Sequence, residues 1–171
     1  YRVLMVAQYG ADLSESLEPG KLSPLALILL TNRIRKDASK TFRYFVEPGV
    51  MVKVISGDDP LTVSEVARRA GIPNAQDYVD ATQLKTEEDY FNAVAKYTVF
   101  GRVSPDQKAI LIRTLKRNGK TVAMTGDGVN DILAMKESDC SVAMASGSEA
   151  ARNVAHLVLL DSNFANMPKV V

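Results

Sequence analysis

Short apolar runs alternate with helix-like segments along most of the chain, and no other feature limits the fold as much. Strand-like runs read at 2–7, 25–31, 50–56, 98–103, 120–125, 140–144 and 157–161. Helical patterns read at 35–46, 60–70, 87–96, 105–117, 129–137 and 147–155. Strands interleaved with helices imply βαβ units, so the pattern predicts an α/β fold with a largely parallel sheet. Local punctuation agrees. Ser104-Pro105 opens a helix with a capping hydroxyl and a first-turn proline, Asn118-Gly119 ends it, and Gly71 closes the helix over 60–70. Residues 8–24 are poor in large apolar groups and read as a linker, with a boundary near Lys21; residues 72–85 form a second irregular stretch.

The most informative string is Thr125-Gly126-Asp127-Gly128-Val129-Asn130-Asp131, which follows the apolar run 121–124. A strand delivers Asp127 to its C-terminal tip, Gly126 and Gly128 allow a sharp turn, and a helix begins near Val129. Ligands in open α/β sheets bind at that tip. Two carboxylates four residues apart are costly together unless a cation neutralises them, and Mg²⁺ takes one or two carboxylates plus phosphate and water. The plainer alternative is an acidic turn capping a helix.

Two further polar tips share the pattern. Val52-Lys53-Val54-Ile55 leads into Ser56-Gly57-Asp58-Asp59-Pro60. There the Ser56 hydroxyl can donate to a phosphoryl oxygen, and free N–H groups of the turn and helix start add to an anion site. Alternatively, these residues only cap the helix from Pro60. Lys108 lies in the first turns of the helix after Ser104-Pro105, where a cation works against the macrodipole. It can pair with a phosphoryl oxygen and a neighbouring carboxylate, or it is a solvated lysine. The segment Thr31 to Asp37 carries Arg33, Arg35 and Lys36. These cations can meet nucleotide phosphate or sugar, or form a solvated helix start. His156, the only histidine, reads as structural, and the six methionines as core.

Composition narrows the classes. The 171 residues suffice for one ordinary domain, with 46% apolar and 24% charged residues, which is globular. A balance of 21 basic against 20 acidic residues argues against a nucleic-acid partner. Cys140 is the only cysteine, which fits a reducing cytoplasm. The longest apolar runs, such as Leu25 to Leu30, are too short to span a bilayer. The chain starts inside what reads as a strand and so looks cut from something longer.

Together the tips resemble the phosphorylation domain of P-type cation-transporting ATPases, within the haloacid-dehalogenase-like superfamily. The resemblance runs from about Leu25 to Val171 and rests on Val122 to Asp131, then Ala134-Met135-Lys136, Asp139 to Met144, Gly147 to Ala151, and Leu159 to Phe164. It implies a Rossmann-like, mostly parallel sheet with helices on both faces. It also implies that Asp127 binds Mg²⁺ with the transferred phosphoryl group, and that Asp131 organises the site. Ser56 would hold the phosphoryl group, with Gly57 and Asp58 beside it, and Lys108 would be the family's lysine. Gly126 and Asn130 would support the turn. A segment like the family's Asp-Pro-x-Arg maps to Asn32-Arg33-Ile34-Arg35, with Asn32 in place of the acid and Arg35 near nucleotide.

The family's nucleophile lies in an Asp-Lys-Thr-Gly-Thr motif that this chain lacks. In that fold it sits on the central strand, between the strands ending at Ser56 and Asp127. The resemblance therefore predicts a gap, closed by another chain, by rearranged pairing or by another piece of the parent. Residues 1–24 would be the last strand of the nucleotide-binding domain and the hinge, and 25–171 the C-terminal part of the phosphorylation domain. The implied parent is a membrane pump using ATP and Mg²⁺, with this part on the cytoplasmic side, and with transmembrane and nucleotide-binding domains as partners. A strand-complementing dimer of the fragment is a further expectation. The motif style is closer to pumps for calcium or other divalent cations than to the heavy-metal type. Two rival readings are a soluble phosphatase fragment of the same superfamily and a non-catalytic Mg²⁺ or phosphate-binding module.

Overall fold

The computed structural model describes residues 2–10, 19–30 and 33–170. Asn32, and residues 12–18 of the expected hinge, lie outside the described residues. The chain divides into two compact units, Tyr1–Arg33 and Ile34–Val171.

The first unit is a ribbon of β1 (Arg2–Tyr9) and β2 (Leu22–Leu30), paired antiparallel from Arg2 opposite Leu30 to Tyr9 opposite Leu22. Val3 and Met5 face Leu29 and Leu27, while Leu4 and Val6 face Ile28 and Ala26, so both faces are apolar. Val3, Met5, Leu27 and Leu29 are all more than half exposed. The run at 25–31, read from the sequence as a strand of the parallel sheet, thus pairs with β1 instead. Consecutive apolar strands satisfy each other's backbone groups locally, and the division between compact units falls after Arg33.

The second unit contains α1 (Ala38–Val46), β3 (Val54–Ile55), α2 (Pro60–Ala70), β4 (Tyr78–Asp80), α3 (Glu87–Lys96), β5 (Val99–Gly101) and α4 (Pro105–Arg117). β6 (Ala123–Gly126), α5 (Ile132–Glu137), β7 (Cys140–Met144), α6 (Glu149–Val154) and β8 (Leu157–Leu159) complete it. The expected single sheet is two parallel sheets of three strands, ordered β3-β5-β4 and β6-β7-β8. β3 and β6 are edge strands of separate sheets. The irregular stretch at 72–85 holds β4 and a 3₁₀ turn at Ala81–Gln83.

Helices cover both faces. On β5, Val99 packs with Val63 and Ala67 of α2, and the adjacent Phe100 packs with Val94 of α3 and Leu111 of α4. On β7, Ala143 packs with α5 and α6, and Val142 with Leu159 and Met167. This alternation follows from the two-residue period of a strand. Two helices serve both sheets. α1 sends Phe42 to the first and Phe45 to the second, and α4 sends Leu111 to the first and Ile112 to the second.

Candidate active site

A cleft of about 360 Å³ opens between the C-terminal tips of β3 and β6. Ile55, Ser56 and Gly57 line one side, Met124 to Asp127 the other, with Lys108, Asp131 and Met144 completing it. A larger groove of about 590 Å³ beside α3 and α4 contains none of the residues singled out from the sequence.

Ser56 is held through its backbone. Its N–H donates to the Phe100 carbonyl at 2.9 Å, and its own carbonyl accepts from Val103 N–H at 3.0 Å. The Asp58 N–H donates to Ser56 Oγ at 3.1 Å, which leaves the hydroxyl proton free to donate elsewhere. Asp59 caps α2 by accepting from Thr62 N–H at 3.2 Å. Arg102 ties this turn down: its guanidinium donates to Asp59 at 2.9 Å and to Asp80 at 2.8 Å. Arg102 has φ +52°, a left-handed conformation uncommon for a side-chain-bearing residue. No sequence motif marks Arg102 for this role.

Asp131 is the hub. It is buried, at 7% exposure, and both carboxylate oxygens are engaged. Oδ1 accepts from Lys108 Nζ at 2.6 Å, and Oδ2 accepts from Gly128 N–H at 3.1 Å and Asp127 N–H at 3.3 Å. Lys108 stands in the first turns of α4, whose start is fixed by a capping box between Ser104 and Gln107. The anion that offsets its unfavourable place on the helix is Asp131. Gly126 is required by close approach, since a Cβ there would lie 2.5 Å from Asp131 Cβ.

Asp127, by contrast, is exposed, and its carboxylate has no hydrogen bond or ion pair among the described residues. Its main chain is held: Asp127 O accepts from Ser148 N–H at 2.7 Å. Among the described residues no cluster of three or more His, Cys, Asp or Glu side chains could hold a metal ion. Among the described residues that line it, the cleft therefore offers one free carboxylate beside an ammonium and a hydroxyl. That donor set fits Mg²⁺ arriving with phosphate, not a cation caged by protein alone.

Of the residues predicted from sequence, the cleft gathers Ser56, Gly57, Lys108, Gly126, Asp127 and Asp131. Asp58 and Asn130 are exposed on the turns beside it and do not line it. Arg35 does not line it either. Its guanidinium donates to Asn163 Oδ1 at 3.0 Å and to the Ser162 carbonyl at 3.4 Å. The lining residues Ile55, Met124 and Met144 carried no chemical signal in the sequence.

Comparison with known proteins places these features in a family. A profile described as haloacid dehalogenase-like hydrolase matches residues 2–139. A probable cation-transporting ATPase, exp7, of Streptococcus pneumoniae is 44% identical over 169 residues, covering 99% of this chain and 22% of that protein. The calcium-transporting ATPase CtpE of Mycobacterium bovis is 46% identical over 171 residues, covering 99% of this chain and 21% of its own. The chain thus spans about a fifth of the length of these relatives. Among solved structures, a zinc-transporting PIB-type ATPase in an E2.Pi state aligns with TM-score 0.65 at 21% identity, over 90% of this chain and 21% of that one. The catalytic domain of the CPx-ATPase CopB-B aligns with TM-score 0.60 at 23% identity, over 87% and 47% respectively. At these identities the structural matches speak to the fold.

Proposed function

The chain belongs to the haloacid dehalogenase-like hydrolases, and we propose that it is the C-terminal part of the phosphorylation domain of an ATP-driven cation pump. The observation that carries this reading is the convergence of Ser56, Lys108 and Asp127 on one cleft, with Asp131 fully engaged behind them. The parent moves the γ-phosphoryl group of ATP to an aspartate outside this chain and then hydrolyses the acyl phosphate. Such a transfer needs positioning and charge neutralisation more than covalent help. Mg²⁺, when bound, neutralises charge on the migrating phosphoryl group.

The chain's own residues divide the remaining work. Asp127 supplies the carboxylate for the metal. The Ser56 hydroxyl donates to a phosphoryl oxygen. Lys108 gives one of its three protons to Asp131 and keeps the others for phosphoryl oxygens. Asp131 holds both Lys108 and the 127–128 turn. Gly57, Asp58 and Asn130 shape the turns, and Gly126 lets Asp131 close in. Arg35 fastens the 162–163 turn.

The acceptor aspartate belongs on a strand between β3 and β6, each an edge strand of its own sheet with its tip at the cleft. The β1–β2 ribbon, apolar on both faces, fits a sheet completed by the nucleotide-binding domain. Among the described residues no helix is long and apolar enough to cross a membrane. The pump's spans and its ion selectivity lie in other parts of the parent, and this part works at their cytoplasmic side.

In the full-length parent, Asp127→Ala abolishes phosphoenzyme formation from labelled ATP; normal labelling in that variant refutes the assignment. The chain alone forms no acid-stable phosphoenzyme. Adding the parent's Asp-Lys-Thr-Gly segment restores labelling in this reading, and label on the unaided chain contradicts it.

A further inference from the structure

The loop between β7 and α6 packs against the main chain of Asp127. Three observations tie it to the metal carboxylate. First, Ser148 N–H donates to Asp127 O at 2.7 Å, the shortest backbone bond to that turn. Second, Gly147 packs so closely that a Cβ there would lie 2.5 Å from Asp127 O and 2.9 Å from its Cα. The φ of Gly147 is outside the left-handed range, so close approach, not conformation, demands glycine. Third, Arg152 Nη1 donates to the carbonyls of Gly147 at 2.6 Å and Ala145 at 2.8 Å. No ion pair involves Arg152 among the described residues, so its guanidinium serves the loop.

The loop is anchored at a second point. Ser146 N–H donates to Ser162 Oγ at 2.8 Å. Ser162 is in turn held by Arg35, which donates to its carbonyl at 3.4 Å. The Asp127 backbone therefore rests on a loop fixed from both sides, while its carboxylate stays free.

We propose that residues 145–148 form a brace that sets the position of the Asp127 carboxylate, with Gly147 and Arg152 as its positioning residues. This inference rests on Asp127 being the metal-binding acid. The physical reason is that Asp127 has no side-chain partner to orient it. Its aim depends on its main chain, and the main chain depends on Ser148 and Gly147. Partners that orient a metal ligand without touching the metal commonly matter about 10–100-fold in affinity.

Mn²⁺ titration of the chain with inorganic phosphate present, followed by electron paramagnetic resonance well below the melting temperature, tests this. The arms are the wild type, Asp127→Asn, Gly147→Ala, Arg152→Gln and Arg152→Lys, each with its melting curve. Wild type binds Mn²⁺ and Asp127→Asn loses that binding. Gly147→Ala and Arg152→Gln weaken it about tenfold while still folded, and Arg152→Lys, which keeps a cationic donor, recovers most of the loss. A purely structural role lowers melting temperature and leaves affinity untouched. Folded Gly147→Ala and Arg152→Gln proteins that bind Mn²⁺ like wild type overturn the brace alone. If Gly147→Ala does not fold, Arg152→Gln decides the matter. Mn²⁺ binding that is absent, or indifferent to Asp127→Asn, overturns the metal assignment and the brace with it.

Discussion

Removing Asp131 is the sharpest stability test of the site. Its carboxylate takes the Lys108 ammonium on one oxygen and two backbone N–H groups on the other. The two side chains are only 10% and 12% exposed. Asp131→Ala leaves an uncompensated, mostly buried cation, and breaking such a pair typically costs about 3–5 kcal/mol. Lys108 borders an open cleft that admits water, which places the loss near the lower end, about 3 kcal/mol. The orphaned N–H groups add little, because Asp127 is exposed and can find water. A domain has roughly 5–15 kcal/mol in total, so the loss is a large fraction. Asp131→Asn keeps an acceptor for the turn and loses the charge, costing about 1.5–3 kcal/mol. Pairing it with Lys108→Met removes the stranded cation, so the double variant loses less than the sum of the singles. Urea unfolding by far-ultraviolet circular dichroism measures this, since the chain has no tryptophan. At a slope of about 1–3 kcal/mol per molar urea, Asp131→Ala moves the midpoint by roughly 1–3 M. A loss under about 1 kcal/mol, or strict additivity in the double variant, refutes the claim that the pair acts as a buried unit.

Other perturbations probe the surroundings. Phe100 is 1% exposed and central to the cluster between β5, α3 and α4, so Phe100→Ala costs about 3–5 kcal/mol in the same assay. Asp139 accepts from Lys116 at 2.9 Å and from Val122 N–H at 2.8 Å, and the Lys116 hydrogen bond leads in holding its carboxyl below the usual aspartate range. A depressed folded value favours the folded state above the unfolded value, and that contribution is lost as pH falls through the folded one. The stability gap between wild type and Asp139→Asn therefore narrows as pH drops below about 4. A gap that widens in acid contradicts the pairing.

Elements closed by specific chemistry were readable from sequence, and those set by distant pairing were not. The helices over 60–70, 87–96 and 105–117 have the predicted limits. Their ends are local events: Gly71 at φ +86°, the Thr86–Asp89 capping box, and the Ser104–Gln107 box. The strand read at 50–56 shrinks to Val54–Ile55, because it has one partner, β5, and Val50 and Met51 stay exposed. β4, only three residues long, is too short to show a period. The pairing of β2 with β1 was hidden, since an apolar run does not name its neighbour. In the site, the four-residue spacing of Asp127 and Asp131 was plain, but not that Asp131 is buried and engaged while Asp127 is exposed. That depends on Gly126, whose missing side chain lets Asp131 fold inward.

The two parallel sheets remain one unit without a ladder between them, and the reason bears on the chemistry. α1 packs Phe42 and Phe45 under different sheets, and α4 does the same with Leu111 and Ile112 on the other side. Ile55 and Val122 each pack against both neighbouring clusters. Continuous helix layers thus cover a discontinuous sheet, and the break opens at the strand tips. The site draws Ser56 from one side of that break and Asp127 from the other. The Lys108–Asp131 pair joins α4 to the turn after β6, so it links the element following the first sheet to the start of the second. Loosening that pair separates the Ser56 hydroxyl from the Asp127 carboxylate as well as lowering stability. A variant at Asp131 should therefore lose the geometry of the proposed phosphoryl site while the rest of the fold survives.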